Sequence, residues 1–283
     1  MRVLILGAKG MLGTDLAKTF ADFELKLWDK EEIDICNKKQ VFQKISGNNP
    51  EVIINAAAYT AVDDCEKNKN IAFKVNGTAV GFIAEIAQKI KAILVHFSTD
   101  YVFLGNKKAG YKEAEIPKNP KNIYGQSKLL GEKLLREKCK KYYLIRTSWL
   151  FGLAGKNFVE TMLQLAEKTM PAGRQEKQLK VVSDQHGKPT FTKDLAKSTQ
   201  KLILEKMSFG VYHIINQEPT SWYEFAKKIF ELSKINVLVE PITSDQFPRP
   251  AKRPKWSILN NTKFPKLRSH KAALKEYLKL REE

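Results

Sequence analysis

The segment that decides the fold is Val3-Leu4-Ile5-Leu6-Gly7-Ala8-Lys9-Gly10-Met11-Leu12-Gly13. Its apolar start reads as a strand buried on both faces, the pattern of a parallel sheet. Gly7, Gly10 and Gly13 then follow in a G-x-x-G-x-x-G spacing, which differs from the G-x-G-x-x-G of many dehydrogenases. Glycines at such a junction serve a tight turn, close approach of backbone to a diphosphate, and close packing of the next helix. That helix, expected from about Met11 to Phe20, offers its N-terminal amides and dipole to phosphate groups. A glycine loop by itself is weak evidence, and strand, loop and helix in succession make it stronger.

Outward from this turn, strands and helices alternate. Leu25–Asp29 reads as the second strand, and Asp29 ends it 22 residues after Gly7, where a carboxylate would bond an adenosine ribose 2′-hydroxyl. The adjacent Lys30 would instead pair with a 2′-phosphate, so NADPH and NADH both remain open. Asp34 and Ile35 lie beyond, placed to flank the adenine. Glu51–Asn55 is a third strand running into Ala56-Ala57-Ala58-Tyr59-Thr60, small residues against which a planar cofactor can lie. A long helical stretch is expected from Asp64 through Gln88, a fourth strand over Ala92–Phe97, a helix from Tyr124 to about Lys140, and a strand over Tyr142–Thr147. The alternation predicts an α/β fold with a doubly wound parallel sheet of Rossmann type, followed by a smaller C-terminal α+β substrate domain. Residues 1–150 form the expected dinucleotide-binding domain and 151–283 mainly the substrate-binding domain. Strands near 179–182 and 211–216 are expected to return to the first domain.

Two stretches carry chemistry. Tyr124-Gly125-Gln126-Ser127-Lys128 puts a phenol and an ammonium four residues apart, on one face of a helix. An ammonium nearby favours the phenolate, and the expectation is that Lys128 lowers the pKa of Tyr124 towards the range of general acid–base work. Ser98-Thr99-Asp100 ends the preceding apolar strand, and the Thr99 hydroxyl is placed to orient a carbonyl oxygen. The same Tyr-x-x-x-Lys pattern recurs at Tyr223 and Lys227, behind Ser221 and Glu224 in capping-box spacing. There it reads as structural, with Tyr223 packed and Lys227 solvated. Phe247–Pro254 is irregular because of its prolines, and an arginine within it is suited to paired hydrogen bonds with a nucleotide diphosphate.

Composition narrows the classes. The 43% hydrophobic and 28% charged residues are ordinary for a globular protein, and no apolar run approaches the roughly 20 residues that span a bilayer. The net charge of +18, from 49 basic against 31 acidic residues, raises nucleic-acid binding as a rival. The lysines are spread along the chain without an Arg-rich arm or an aromatic-basic ribbon, so no nucleic acid and no membrane is expected as partner. Such a surface steers anionic substrates such as nucleotides. Cys36, Cys65 and Cys139, and the four histidines His96, His186, His213 and His270, share no metal-ligand spacing. A reducing cytoplasm is the expected location.

The glycine loop, Asn55-Ala56-Ala57-Ala58, Ser98-Thr99-Asp100-Tyr101-Val102-Phe103 and Asn122-Ile123-Tyr124-Gly125-Gln126-Ser127-Lys128 together resemble the extended short-chain dehydrogenase/reductases. Arg146-Thr147-Ser148-Trp149, Asn157-Phe158, Asp184-Gln185 and Arg253-Pro254 extend the likeness over nearly the whole chain, towards the members that reduce sugar nucleotides. The resemblance implies reduction of the C4 ketone of dTDP-4-dehydro-L-rhamnose to dTDP-L-rhamnose by NADPH or NADH. It implies Tyr124 as proton donor, Lys128 as the residue that tunes it and holds the nicotinamide ribose, and Thr99 on the substrate oxygen. Cofactor positions implied are Gly7, Gly10, Met11, Leu12, Gly13, Asp29, Lys30, Asp34, Ile35, Ala57, Ala58, Tyr59 and Thr60. Substrate positions implied are Asp100, Tyr101, Trp149, Asn157 and Arg253. Some members hold Mg²⁺ through carboxylates at a dimer contact; Asp15 and Asp194 match, while Lys271 stands at the third position, and monomer and homodimer both remain open. The segment from Met170 to Gln175 reads as an insertion in a loop. A reductase or epimerase for another nucleotide sugar, and a non-enzymatic relative of the regulatory subunit of methionine adenosyltransferase, are the alternatives.

Overall fold

A computed structural model describes residues 1–169 and 178–283; the expected insertion at 170–175 lies outside them. The apolar runs form β1 (Arg2–Leu6), β2 (Glu24–Trp28), β3 (Val52–Asn55), β4 (Ile93–Thr99) and β5 (Tyr142–Thr147). All are parallel, and Gly210–His213 joins β5 in the same direction as a sixth, edge strand. From the edge strand inwards the order is Gly210–His213, β5, β4, β3, β1, β2. The chain leaves β1 for β2 on one side and returns to β3 on the other. A crevice therefore opens between β1 and β3 at the carboxyl ends of the strands, where such sheets bind ligands.

Alternate residues of the strands build a core on each face. Val3, Ile5, Val95 and Ile145 pack with Leu12 and Leu16 of α1 (Met11–Thr19) and with Leu195 and Leu202 of the Thr192–Leu204 helix. Leu4, Ile53, Leu94 and Leu144 pack on the other face with Val41, Ile83 and Leu135, from three further helices. A third core joins Phe151, Phe191, Phe225, Ile229 and Tyr277 between the Phe158–Thr169, Trp222–Leu232 and His270–Glu282 helices.

Two local expectations change. Leu179–Val182 does not return to the large sheet; it pairs in parallel with Val239–Ile242 in a separate two-stranded sheet. The reason is its own pattern: Leu179 and Val181 are buried while Lys180 is exposed, and a strand covered on both faces would have to bury that ammonium. The stretch from Asp64 to Gln88 is not one helix. It divides into Val62–Lys67, Lys69–Phe73, a π-turn at Lys74–Thr78 and Ala79–Lys89. The π-turn carries the buried Asn76, whose side-chain oxygen accepts from Tyr59 N (2.8 Å) and whose amide donates to Tyr59 O (3.0 Å) and Ser127 Oγ (3.1 Å). Diverting one side chain to a neighbouring loop is a recurrent reason for such turns near sites.

One buried polar cluster ties the Ile123–Lys138 helix to the sheet. Glu132 accepts from Arg146 Nε (2.9 Å) and Nη2 (2.7 Å) and from Ser98 Oγ (2.7 Å). Both members of the pair are essentially inaccessible, and the guanidinium also lies 4.9 Å over the Phe103 ring. Burial alone would push the Glu132 carboxyl up, but Arg146 overrides it and holds the group below its ordinary value. Arg146→Met should destabilise the fold by roughly 3–5 kcal/mol in urea unfolding, since it leaves a buried carboxylate unpaired; an unchanged midpoint would contradict this role.

Candidate functional site

The cofactor end is built by the glycine turn. Gly7 holds φ +76°, and a Cβ there would sit 2.7 Å from Ala57 N, so β1 and the segment after β3 approach as only glycine allows. A Cβ on Gly13 would lie 2.1 Å from Gly7 O, which lets α1 press against the turn and aim its first amides into the crevice. Beside it opens a cavity of about 560 Å³ lined by Gly7, Gly10, Asp29, Lys30, Asp34, Ile35, Ala57 and Ala58. Asp29 directly follows β2, with its carboxylate accepting from Lys9 N (3.0 Å) and Lys30 N (2.9 Å), so it braces the loop as well as facing the cavity. Lys9 pairs with Glu31 at 3.0 Å.

A second cavity, of about 700 Å³, continues from the first past Met11, Leu12, Gly13 and Thr60 to Thr99, Asp100, Tyr101, Tyr124, Lys128 and Trp149. Three elements deliver these groups. The Ile123–Lys138 helix begins at Asn122, whose side chain accepts from Gly125 N (2.8 Å) and donates to Lys252 O (2.8 Å), fixing Tyr124 in the first turn. Lys128, one turn on, is buried and donates to the Phe97 carbonyl of β4 at 2.6 Å. Thr99 ends β4, and its hydroxyl accepts from Tyr101 N (3.2 Å) and donates to Asp100 Oδ1 (2.9 Å). Tyr101 meets the Tyr124 ring edge-on at 5.9 Å.

The electrostatics correct one expectation. Burial and the neighbouring Asp100 carboxyl push the Tyr124 phenol up, against a hydrogen bond with Thr99. Lys128 does not offset this, because its ammonium is turned to Phe97 O. Burial lowers Lys128 to about 8, with Glu132 pulling the other way. Burial likewise pushes Asp100 up to about 7, held back by the hydroxyls of Ser257 and Thr99. At neutral pH the site therefore presents a protonated phenol beside a charged lysine, an arrangement suited to giving a proton to a carbonyl oxygen.

Three residues implied by the resemblance line neither cavity. Tyr59 has its backbone pinned by Asn76 instead. Asn157 caps the Phe158–Thr169 helix, accepting from Glu160 N (3.1 Å) and donating to Gly152 O (2.9 Å), and it lines neither cavity. Arg253 also lines neither; it is held by Asp63, with Nη2 at 3.0 Å from Oδ2, and its side chain hydrogen-bonds the Tyr101 phenol at the cavity's edge. Conversely, Trp222 lines the second cavity, and the sequence reading passed over it as part of an amphipathic helix start. The second Tyr-x-x-x-Lys copy is structural as expected: Ser221 caps its helix through Glu224 N (3.1 Å), and Lys227 is exposed.

The Mg²⁺ positions do not fit a metal. Asp15 accepts from Thr192 Oγ1 (2.5 Å), Asp194 is held by both arms of Arg268 (2.8 Å each), and Lys271 pairs with Glu218 (2.9 Å). Among the described residues no group of three or more His, Cys, Asp or Glu side chains is placed to hold an ion. No helix among them is long and apolar enough to cross a membrane.

Comparisons agree with this geometry. Residues 1–282 match the family model described as RmlD substrate binding domain. The chain is 43% identical to a dTDP-4-dehydrorhamnose reductase of Aggregatibacter actinomycetemcomitans, over 93% of this chain and 92% of that one. Among solved structures it is similar to a dTDP-4-dehydrorhamnose reductase from Clostridium acetobutylicum, with 41% identity, TM-score 0.94 and full coverage of both chains. It is also similar to the Bacillus anthracis dTDP-4-dehydrorhamnose reductase in complex with NADP, with 38% identity, TM-score 0.93 and 99% of each chain covered. A match that runs from the first strand to the last helix, around a cavity holding Thr99, Tyr124 and Lys128, settles the relationship: the chain belongs to the RmlD family, among the dTDP-4-dehydrorhamnose reductases.

Proposed function

We propose that the protein reduces the C4 ketone of dTDP-4-dehydro-L-rhamnose to dTDP-L-rhamnose in the cytoplasm, using NADPH or NADH. The observation that carries this reading is the convergence of Thr99, Tyr124 and Lys128 in one cavity continuous with the glycine cradle. The bound dinucleotide supplies a hydride to C4. Gly10, Met11, Leu12 and Gly13 hold its diphosphate at the start of α1, and Asp29 and Lys30 face its adenosine ribose. Tyr124 gives its phenolic proton to the C4 oxygen as the hydride reaches the carbon, so the ketone becomes a secondary alcohol with charge balanced. Thr99 hydrogen-bonds the same oxygen and orients it. Lys128, charged below about pH 8 and held by Phe97 O in the free protein, would turn to the nicotinamide ribose and to the phenolate left on Tyr124 once the cofactor is bound. Asp100, Tyr101 and Trp149 line the sugar side. Residues 1–150 with the Gly210–His213 strand serve the cofactor, and 151–283 mainly the sugar nucleotide.

Two measurements test this. Tyr124→Phe should lower kcat on dTDP-4-dehydro-L-rhamnose by about 100-fold or more while NADPH still binds, because it removes only the proton donor; undiminished turnover would overturn the assignment. For pH, the sign follows from the depressed Lys128 value: the group is charged below about 8 and neutral above it. The free enzyme's kcat/KM should therefore fall as pH rises through about 8. A profile that stays flat across that range would show that the Lys128 charge is not required.

A further inference from the structure

Trp149 stands in an unusual place. It follows β5 with φ +49°, a left-handed conformation that bulky residues rarely adopt and that tends to persist only where surroundings enforce it. Those surroundings are specific. A Cβ on Gly187 would lie 2.5 Å from the Trp149 indole, so the residue at 187 forms a flat floor under one face of the ring. The other face is covered by Trp222, stacked at 3.5 Å between centroids and 4° from parallel. Phe158 backs Trp222 in turn at 4.5 Å. Floor and cover are joined through the backbone, because Thr220–Ser221, immediately before Trp222, pairs antiparallel with His186–Gly187. Ser221 then caps the helix that Trp222 opens.

Both indoles line the cavity that holds Tyr124 and Lys128, and neither lines the adenosine cleft. With both faces of Trp149 covered at van der Waals distance, no ring can insert between the pair. The two stacked indoles together form one aromatic wall of the cavity that holds the reaction centre.

We propose that Trp222 is a positioning residue for the sugar: by clamping Trp149 in its left-handed conformation, it sets the wall against which the apolar side of the 4-keto sugar rests. This rests on the proposed reduction of a nucleotide sugar, and it assigns to Trp222, which lines the same cavity, a role exercised by holding Trp149. A 6-deoxy sugar carries a methyl group and C–H faces, which bury apolar surface against the carbon atoms of large aromatic side chains. The thymidine diphosphate part makes no demand on the wall.

The test is calorimetric titration of dTDP-L-rhamnose and of dTDP into the NADP⁺ complex of the wild type, Trp222→Ala and Trp222→Phe. Trp222→Ala should weaken dTDP-L-rhamnose about five- to tenfold, the scale of one aromatic pair, and leave dTDP and NADP⁺ within about twofold. Trp222→Phe should recover most of the loss, since a ring still covers Trp149. The indole pair should also give an exciton couplet in far-ultraviolet circular dichroism that both variants lose. Unchanged dTDP-L-rhamnose affinity in both variants, or equal weakening of dTDP, would overturn the proposal. If Trp222→Ala does not fold, Trp222→Leu takes its place, and an undiminished dTDP-L-rhamnose affinity in that variant, which has no ring over Trp149, would overturn the proposal as well. Wild-type protein that binds dTDP-L-rhamnose but never reduces the ketone would instead overturn the reaction, leaving the role of Trp222 to the titrations.

Discussion

Everything catalytic in this protein depends on one face of one helix being polar and buried. Along Ile123–Lys138, Lys128 and Glu132 lie four residues apart and both turn towards the sheet. Lys128 reaches the Phe97 carbonyl of β4, while Glu132 takes Ser98 of β4 and Arg146 of β5. The helix is therefore fixed in rotation and height against two adjacent strands by charge-assisted hydrogen bonds, which are shorter and more directional than apolar contacts. Tyr124, one turn before Lys128, has its position dictated by that docking. An apolar interface alone would tolerate a small slide or roll; an ion pair sealed from water does not.

The same constraint explains how the electrostatics divide. Glu132 is kept ionised by Arg146 and sits close enough to Lys128 to oppose the effect of burial on it. Lys128 thus remains a cation at neutral pH despite being buried, and Tyr124 remains a phenol. The Asp100 carboxyl, buried next to Thr99, is pushed to about 7, so the cavity can hold it neutral beside an uncharged ketone. The carboxylates on the far side of α1 follow the opposite logic. Asp194 is already neutralised by Arg268, and an ion there would have to displace a guanidinium.

Much of the sheet was legible because its strands are unbroken apolar runs between turn residues, a pattern that survives without knowledge of neighbours. Leu179–Val182 was misplaced because its apolar character was weighed ahead of Lys180, the residue that shows one face is wet. The break at Lys74–Thr78 was invisible because its cause, Asn76 bonded to the Tyr59 backbone, joins residues 17 apart. Tyr124, Lys128 and Thr99 were legible as a site, since helix spacing and a strand end place them without tertiary information. Their proton affinities were not: the direction in which Lys128 points, towards Phe97 O, depends on a contact 31 residues away. Arg253 and Trp222 lie further out of reach, one tied to Asp63 across 190 residues and the other stacked on an indole more than 70 residues earlier in the chain.

The central claim is that this cavity brings a hydride and the Tyr124 proton to the two ends of one carbonyl. The most direct measurement supplies dTDP-4-dehydro-L-rhamnose with NADPH deuterated at the transferable C4 position and locates the label in the product by NMR. The account predicts one deuterium at C4 of dTDP-L-rhamnose for each NADPH oxidised. Product labelled at another carbon, or cofactor and sugar bound together without any transfer of label, would contradict it.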